Sequence, residues 1–230
     1  MKKLFLIALL FLSVGAFAQK VENISVKGSE VHDFIKKEVY RYPEFRNARV
    51  YFKNNDSAGG KMNYNYMLQT MQFIGPQKDT LIIADEANIK YITIGLDSFF
   101  YDNGFYEWVA SSSRSKLLIK HSLKLMAGSQ KVGAYGIASA SQSIQSQDAF
   151  RGFIGTAGLD INEEFQFVKE TTYYIRAGKK GGEIVTFTKK NLEELFPKKE
   201  DKIEEYIKQN KVNFNKEQDV VDLYVFVSQP

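Results

Sequence analysis

A chain of 230 residues without a single cysteine has no disulfides, no thiolate metal sites and no cysteine nucleophile. Its formal charge is +4, two units of which come from Lys2 and Lys3, and basic residues alternate with acidic ones instead of forming a stripe. That balance excludes nucleic acid as an expected partner. Tyr and Phe number 13 and 18, and such aromatics favour strands.

Lys2 and Lys3 precede the apolar run Leu4 to Leu12, and Ala16-Phe17-Ala18 has the small-x-small pattern that signal peptidase cuts after. The run is shorter than the roughly 18 to 20 residues a spanning helix needs. A signal peptide is therefore expected over 1–18, with cleavage between Ala18 and Gln19. The mature chain is expected to be soluble and periplasmic or secreted, without a transmembrane segment. Gln19 stands where a lipoprotein anchor would need Cys.

Glu22 to Arg49 reads as a short helix or turn near Ser29 to Lys37, then extended chain. Pro43 biases Tyr42 away from helix. From Ala48 to Trp108 the chain reads as short strands: ARVYFKN, KMNYNYML, QTMQFI, DTLIIA, ANIKYITIGLDSFFY and FYEWV. The segments NNDSAGG, GPQK, DEAN and DNG between them are turn clusters. Met62, Tyr64, Tyr66 and Leu68 recur at every second residue, the period of a strand with one packed face. Asn103-Gly104 supplies the two positive-φ positions of a type I′ hairpin turn, and Phe99 to Trp108 places aromatics on both of its arms.

Ser113 to Met126 reads as a helix. Leu117, Leu118, His121 and Leu125, with Leu123 beside them, form its apolar stripe, and Gly128 is its stop. Residues 131–158 contain the small, polar run GAYGIASASQSIQSQ. Without apolar periodicity this segment reads as a long loop or flap. Phe165 to Thr188 returns to strand, with a hairpin around AGKKGG. Thr188 is a plausible N-cap for a helix from Lys189 to Phe196, and Pro197 ends that piece. A second helix carries Ile203, Tyr206 and Ile207. Asn215-Lys216-Glu217-Gln218 has the form of a capping box. It opens a last element, helix or strand, with Val220, Val221, Leu223, Tyr224 and Val227 as its apolar side.

The run YPEF…ARVYFKN…KMNYNYMLQTMQFI…DTLIIADEANIKYITIGLDSFF, with YYIRAGKKGGEIVTFTKKNLEELFPKKEDKIEEYIKQNKVNFNKEQDVVDLYVF after it, resembles an uncharacterised family of secreted proteins common in Bacteroidetes-type bacteria. The resemblance covers most of the chain beyond the leader. It implies export and a single architecture, and carries over no catalytic residue.

Chemical constellations are sparse. His32 and His121 lie far apart in sequence, unlike the close spacing of zinc ligands, so each reads as structural. In Asn54-Asn55-Asp56-Ser57-Ala58-Gly59, Ala58 replaces a calcium ligand and Asn65 stands where the bidentate Glu belongs; a plain turn is expected. There is no Gly-x-Ser-x-Gly elbow, and Gly59-Gly60-Lys61 lacks the rest of a phosphate loop. Asp85-Glu86 and Glu163-Glu164 read as solvated pairs, although distant carboxylates could still converge in a cleft. No metal or cofactor is expected. The candidate binding residues are Phe100, Tyr101, Phe105 and Tyr106, beside a turn where loops often bind; the competing reading makes them cross-strand pairs and core contacts.

The expected fold is α+β: a mostly antiparallel sheet, curled or sandwiched, with one packed helix and a small C-terminal helical subdomain. The β-rich domain spans 19–188, and the helical tail 189–230 packs on it. The expected role is non-enzymatic, binding an envelope or protein partner or acting structurally. The alternatives are a carrier that encloses an apolar, lipid-like ligand in a curled sheet under the 131–158 flap, and a carboxylate-dependent hydrolase.

Overall fold

Alternation and tight turns produce a meander from the first half of the chain. In the computed structural model, which describes residues 19–126, 147–156, 164–177 and 182–229, this meander is β2 (Arg46–Phe52), β3 (Ser57–Asn65), β4 (Thr70–Ile74), β5 (Thr80–Ile82), β6 (Ile89–Ile94), β7 (Asp97–Tyr101) and β8 (Phe105–Ser111). Before it come β1 (Gln19–Lys27) and the helix α1 (Val31–Glu38). After it come β9 (Ser115–Met126), α2 (Gln147–Thr156), β10 (Glu164–Ala177) and β11 (Ile184–Thr186). Three helices finish the chain: α3 (Lys189–Leu195), α4 (Glu200–Asn210) and α5 (Glu217–Ser228).

The strands form one antiparallel sheet in the order β1-β10-β9-β8-β7-β6-β2-β3-β4-β5. β11 also pairs with β10, beyond the stretch that β1 occupies. The sheet curls strongly without closing. Just past β3, Tyr66 takes the carbonyl of Val39 on its N–H (2.8 Å), and its own carbonyl accepts from Leu123 of β9 (3.0 Å). The curl thus brings the end of β3 back to a strand five places away along the sheet.

Two apolar cores result, both served by the same face of β9 and β10. The first fills the curl with Met62, Tyr64, Met71, Ile92, Phe99, Phe105, Leu123 and Phe167. Helix α1 enters it with Val31 and Ile35, one turn apart, and Phe34 packs on Phe167 with ring centroids 4.5 Å apart. The second core lies under the C-terminal helices. Leu117, Ile119, Tyr173 and Ile175 of the two long strands meet Leu192, Ile203, Val220, Leu223, Tyr224 and Val227. Spacing of three, four and seven residues puts the α5 members on one helical face. Between the cores, on that same strand face, His121 stands opposite Thr171 in register, and Lys169 stands opposite Leu123. The two apolar regions are therefore separated by a polar waist.

Several expectations are corrected. Ser113 to Met126 is not a helix: Ser115–Met126 is the strand β9, flanked by β8 and β10. Leu117, Ile119, His121, Leu123 and Leu125 also repeat with period two, and pairing on both sides decides in favour of strand. Within 131–158, the described residues 147–156 form a helix whose Phe150 is buried in the first core, with Phe153 and Ile154 packed against it; the rest of that segment, and Gly128, lie outside the described residues. The hairpin between β7 and β8 pairs Tyr101 with Phe105 and so has a three-residue turn, with Asn103 at φ 50° and Gly104 at φ 134°. The capping box at Asn215 to Gln218 does not form. Helix α5 begins after Lys216 with no side-chain cap, and Asp219 accepts from the Asn213 N–H instead (3.0 Å). Thr188 does cap α3, accepting from the Asn191 N–H at 3.3 Å. Among the described residues, no helix is long and apolar enough to cross a membrane.

Candidate ligand-binding cleft

Register sorts the aromatic hairpin onto two faces. Phe100 pairs with Tyr106, and Tyr101 with Phe105; neighbouring residues of a strand point opposite ways. Phe105 is fully buried in the first core, edge-on to Tyr101 (5.2 Å), and Tyr101 packs against the same core. Phe100 and Tyr106 lie on the outer face, stacked at 5.6 Å. The four sequence candidates therefore divide two and two, and of them only Phe100 lines the cleft on the outer face.

On that outer face the pairing extends the aromatic row across the sheet. Tyr51 of β2 stacks on Tyr91 of β6 (4.4 Å), Tyr91 lies 6.1 Å from Trp108 of β8, and Trp108 lies 5.9 Å from Phe100. Tyr106 meets Tyr174 of β10 edge-on at 5.2 Å. Leu118, opposite both Trp108 and Tyr174 in register, is completely buried within this face. A register shift between Trp108 and Ala110 breaks the β8–β9 ladder beside the indole, and bulges of this kind re-aim side chains.

Cations are laid over the rings. Lys116 and Arg176 are opposite each other on β9 and β10. The Lys116 Nζ is 3.6 Å from the Trp108 ring centre, the Arg176 guanidinium is 5.5 Å from that of Phe100, and the Lys120 Nζ is 5.5 Å from that of Tyr106. Each such contact contributes about 0.5 to 1 kcal/mol when exposed. Burial, and secondarily the charge of Arg176, lower the Lys116 pKa; burial lowers that of Lys120. Arg176 has Asp102 nearby at 3.6 Å and donates to the Gly182 carbonyl at 3.0 Å. Lys90, Arg114, Lys116 and Lys120 have no ion pair among the described residues. Further along the face, Lys124 is neutralised by Glu170 at 2.7 Å.

These groups border a cleft of about 530 Å³, lined by Lys90, Tyr91, Phe100, Trp108, Arg176 and the β8–β9 turn from Ser112 to Lys116. The turn is held rigidly. Ser112 Oγ accepts from the Ser115 N–H (3.0 Å), and the hydroxyl of Tyr224 on α5 donates to the Ser115 carbonyl (2.7 Å). The Trp108 Nε1 is buried and has no partner among the described residues. Chemically, the lining offers aromatic rings, hydroxyls and cations, a set suited to an anionic ligand with some apolar surface.

Several other polar groups are tied up in structure. Arg41 grips Glu107 through two bonds (2.9 and 3.0 Å) and approaches Asp97 at 3.9 Å, while the Tyr42 hydroxyl donates to Asp97 at 2.6 Å. His32 contacts the Ile154 carbonyl at 3.0 Å, and the half-buried His121 shares a hydrogen bond with Thr171 Oγ1 at 2.9 Å. No group of three potential metal ligands occurs among the described residues. Residues 54–56 form a turn in which Asn54 Oδ1 accepts from the Asp56 N–H at 3.0 Å.

Sequence reasoning missed Tyr91, Trp108, Lys116 and Arg176. Trp108 shares its strand face with Tyr106, a signal readable once FYEWV is taken as a strand. The two cations required knowing that Ser115–Met126 is a strand beside β10. Comparison with protein-family models, with curated proteins and with solved structures finds no match for this chain.

Proposed function

We propose that this is an exported, non-enzymatic binding protein of the cell envelope, a member of the secreted family it resembles, and that the outer-face cleft around Trp108 is its binding site. Export rests on Lys2, Lys3, the Leu4 to Leu12 run and Ala16-Phe17-Ala18. The single observation that carries binding is the convergence of Tyr91, Phe100 and Trp108 with Lys90, Arg114, Lys116 and Arg176 on one cleft. The interior of the curl is occupied by Met62, Tyr64, Met71, Phe99 and Phe105, which favours this cleft over an enclosed apolar ligand. Asp97 and Glu107 do converge, but on Arg41, an arrangement that favours a structural role over an acid–base pair.

Trp108 is the chain's one tryptophan, so its emission reports the cleft directly. Residues 19–230, titrated with soluble envelope fractions and glycan pools, should change emission in a saturable way and return each ligand chemically unchanged. A folded protein whose emission no fraction alters would overturn the binding reading; product formation from a bound ligand would overturn the non-enzymatic one.

A further inference from the structure

The charge around the cleft narrows its ligand, provided the cleft binds at all as proposed above. Among the described residues four cations line it, Lys90, Arg114, Lys116 and Arg176, with Lys120 next to them over Tyr106. Among the described residues, Asp102 on Arg176 is the one acid ion-paired with any of them. Such a set, partly desolvated and short of counter-charge, gains most from an anion that brings charge-assisted hydrogen bonds. Two of the ring faces already carry a cation: Lys116 stands over Trp108 and Arg176 over Phe100. Stacking a nucleobase there would displace those cations, whereas a carboxylate would engage them in place. Tyr91, half-buried with its ring 4.4 Å from Tyr51 and 6.1 Å from Trp108, adds an apolar margin, and the exposed Ser113 adds a hydroxyl. A sugar ring satisfies both, with a C–H face for the tyrosine and hydroxyls for the serine. The volume falls within the range of about 300 to 1,000 Å³ typical of small-ligand sites.

We infer that the cleft binds a saccharide bearing carboxylate groups, a uronate oligomer, with its carboxylates on Lys116 and Arg176 and one ring against Tyr91.

The test uses residues 19–230 and trisaccharides of galacturonate, glucuronate, mannuronate and guluronate, each beside its methyl ester, followed by Trp108 emission and calorimetry. The ester keeps the sugar and removes the charge. At least one free acid should bind about tenfold more tightly than its ester, as expected for a charge-assisted pair. That affinity should fall with added salt. Lys116→Met and Arg176→Gln should each weaken the acid and leave the ester unchanged. Lys90→Ala, at an exposed position, should weaken it less. Equal binding of acid and ester would overturn the charge-based assignment. If no uronate binds while an envelope fraction still changes Trp108 emission, the saccharide assignment fails and the cleft reading stands. If neither produces a change, both fail.

Discussion

His121 occupies the polar waist between the two cores, its ring 5.3 Å from that of Tyr66 and its Nδ1 on Thr171. Burial first, then the charges of Arg41 and Lys169, lower its pKa from the ordinary 6.5 to about 4. The folded protein therefore resists protonating this ring, while the unfolded chain accepts a proton near pH 6.5. The neutral ring's contribution is fully present above pH 6.5, is lost as pH falls towards about 4, and stays constant below. With a discount for residual exposure, the loss amounts to about 2 kcal/mol. Urea titrations from pH 7 to pH 4 should show this slope, and His121→Phe should flatten it. A second residue-scale case is Asn65, which is fully buried. Its Oδ1 accepts from the N–H groups of both Met67 and Leu68 at 2.9 Å, closing the turn after β3. Asn65→Ala strands both donors and should cost about 2 to 3 kcal/mol in chemical denaturation; a loss below about 0.5 kcal/mol would mean the turn closes without it.

At the scale of elements, β9 is where sequence and structure part. The meander from β2 to β8 was legible because NNDSAGG, GPQK, DEAN and DNG punctuate runs of alternating or β-prone residues. Helix α3 was legible because Thr188 announces it. Strand β9 was not, since Leu117-Leu118 followed by His121 and Leu125 satisfies helical spacing as well as strand alternation, and only its neighbours choose between them. For the same reason half of the cleft was hidden: Phe100 is local to the aromatic hairpin, whereas Lys116 and Arg176 meet through the long-range pairing of β9 with β10. β1 lacks a strong pattern because most of it is exposed. The strand assignment has a sharp consequence. Leu123 points into the first core and Lys124 points outward to Glu170. Leu123→Ala should therefore cost about 2 to 5 kcal/mol, and Lys124→Ala less than about 1 kcal/mol. Comparable losses at the two positions would contradict the alternation.

For the molecule as a whole, the two cores share β9 and β10 and cannot lose their packing independently. Melting the core under α3, α4 and α5 would expose Leu117, Ile119, Tyr173 and Ile175 on strands whose other ends hold the curl together. Far-ultraviolet circular dichroism and Trp108 emission should therefore give superimposable denaturant curves with one midpoint. Leu223→Ala, in the second core, should lower that midpoint for both probes together. Separate transitions would show that the polar waist at His121, Thr171 and Lys169 divides the chain into units that unfold alone.

The place of β1 in the sheet sets a timetable. Its partner is β10, and Ser25 finds Glu164, 139 positions further along the sequence. As the chain emerges in order, its first strand has nothing to join until β10, from Glu164 onward, has followed. Connectivity alone thus delays the pairing of β1 until β10 is present, whereas the strands from β2 to β8 have their partners close by in sequence. In the test tube the whole chain is present, and the same separation acts through loop-closure entropy instead. Refolding from urea should run in the millisecond-to-second regime of non-local β topologies, with docking of β1 against β10 as its late step.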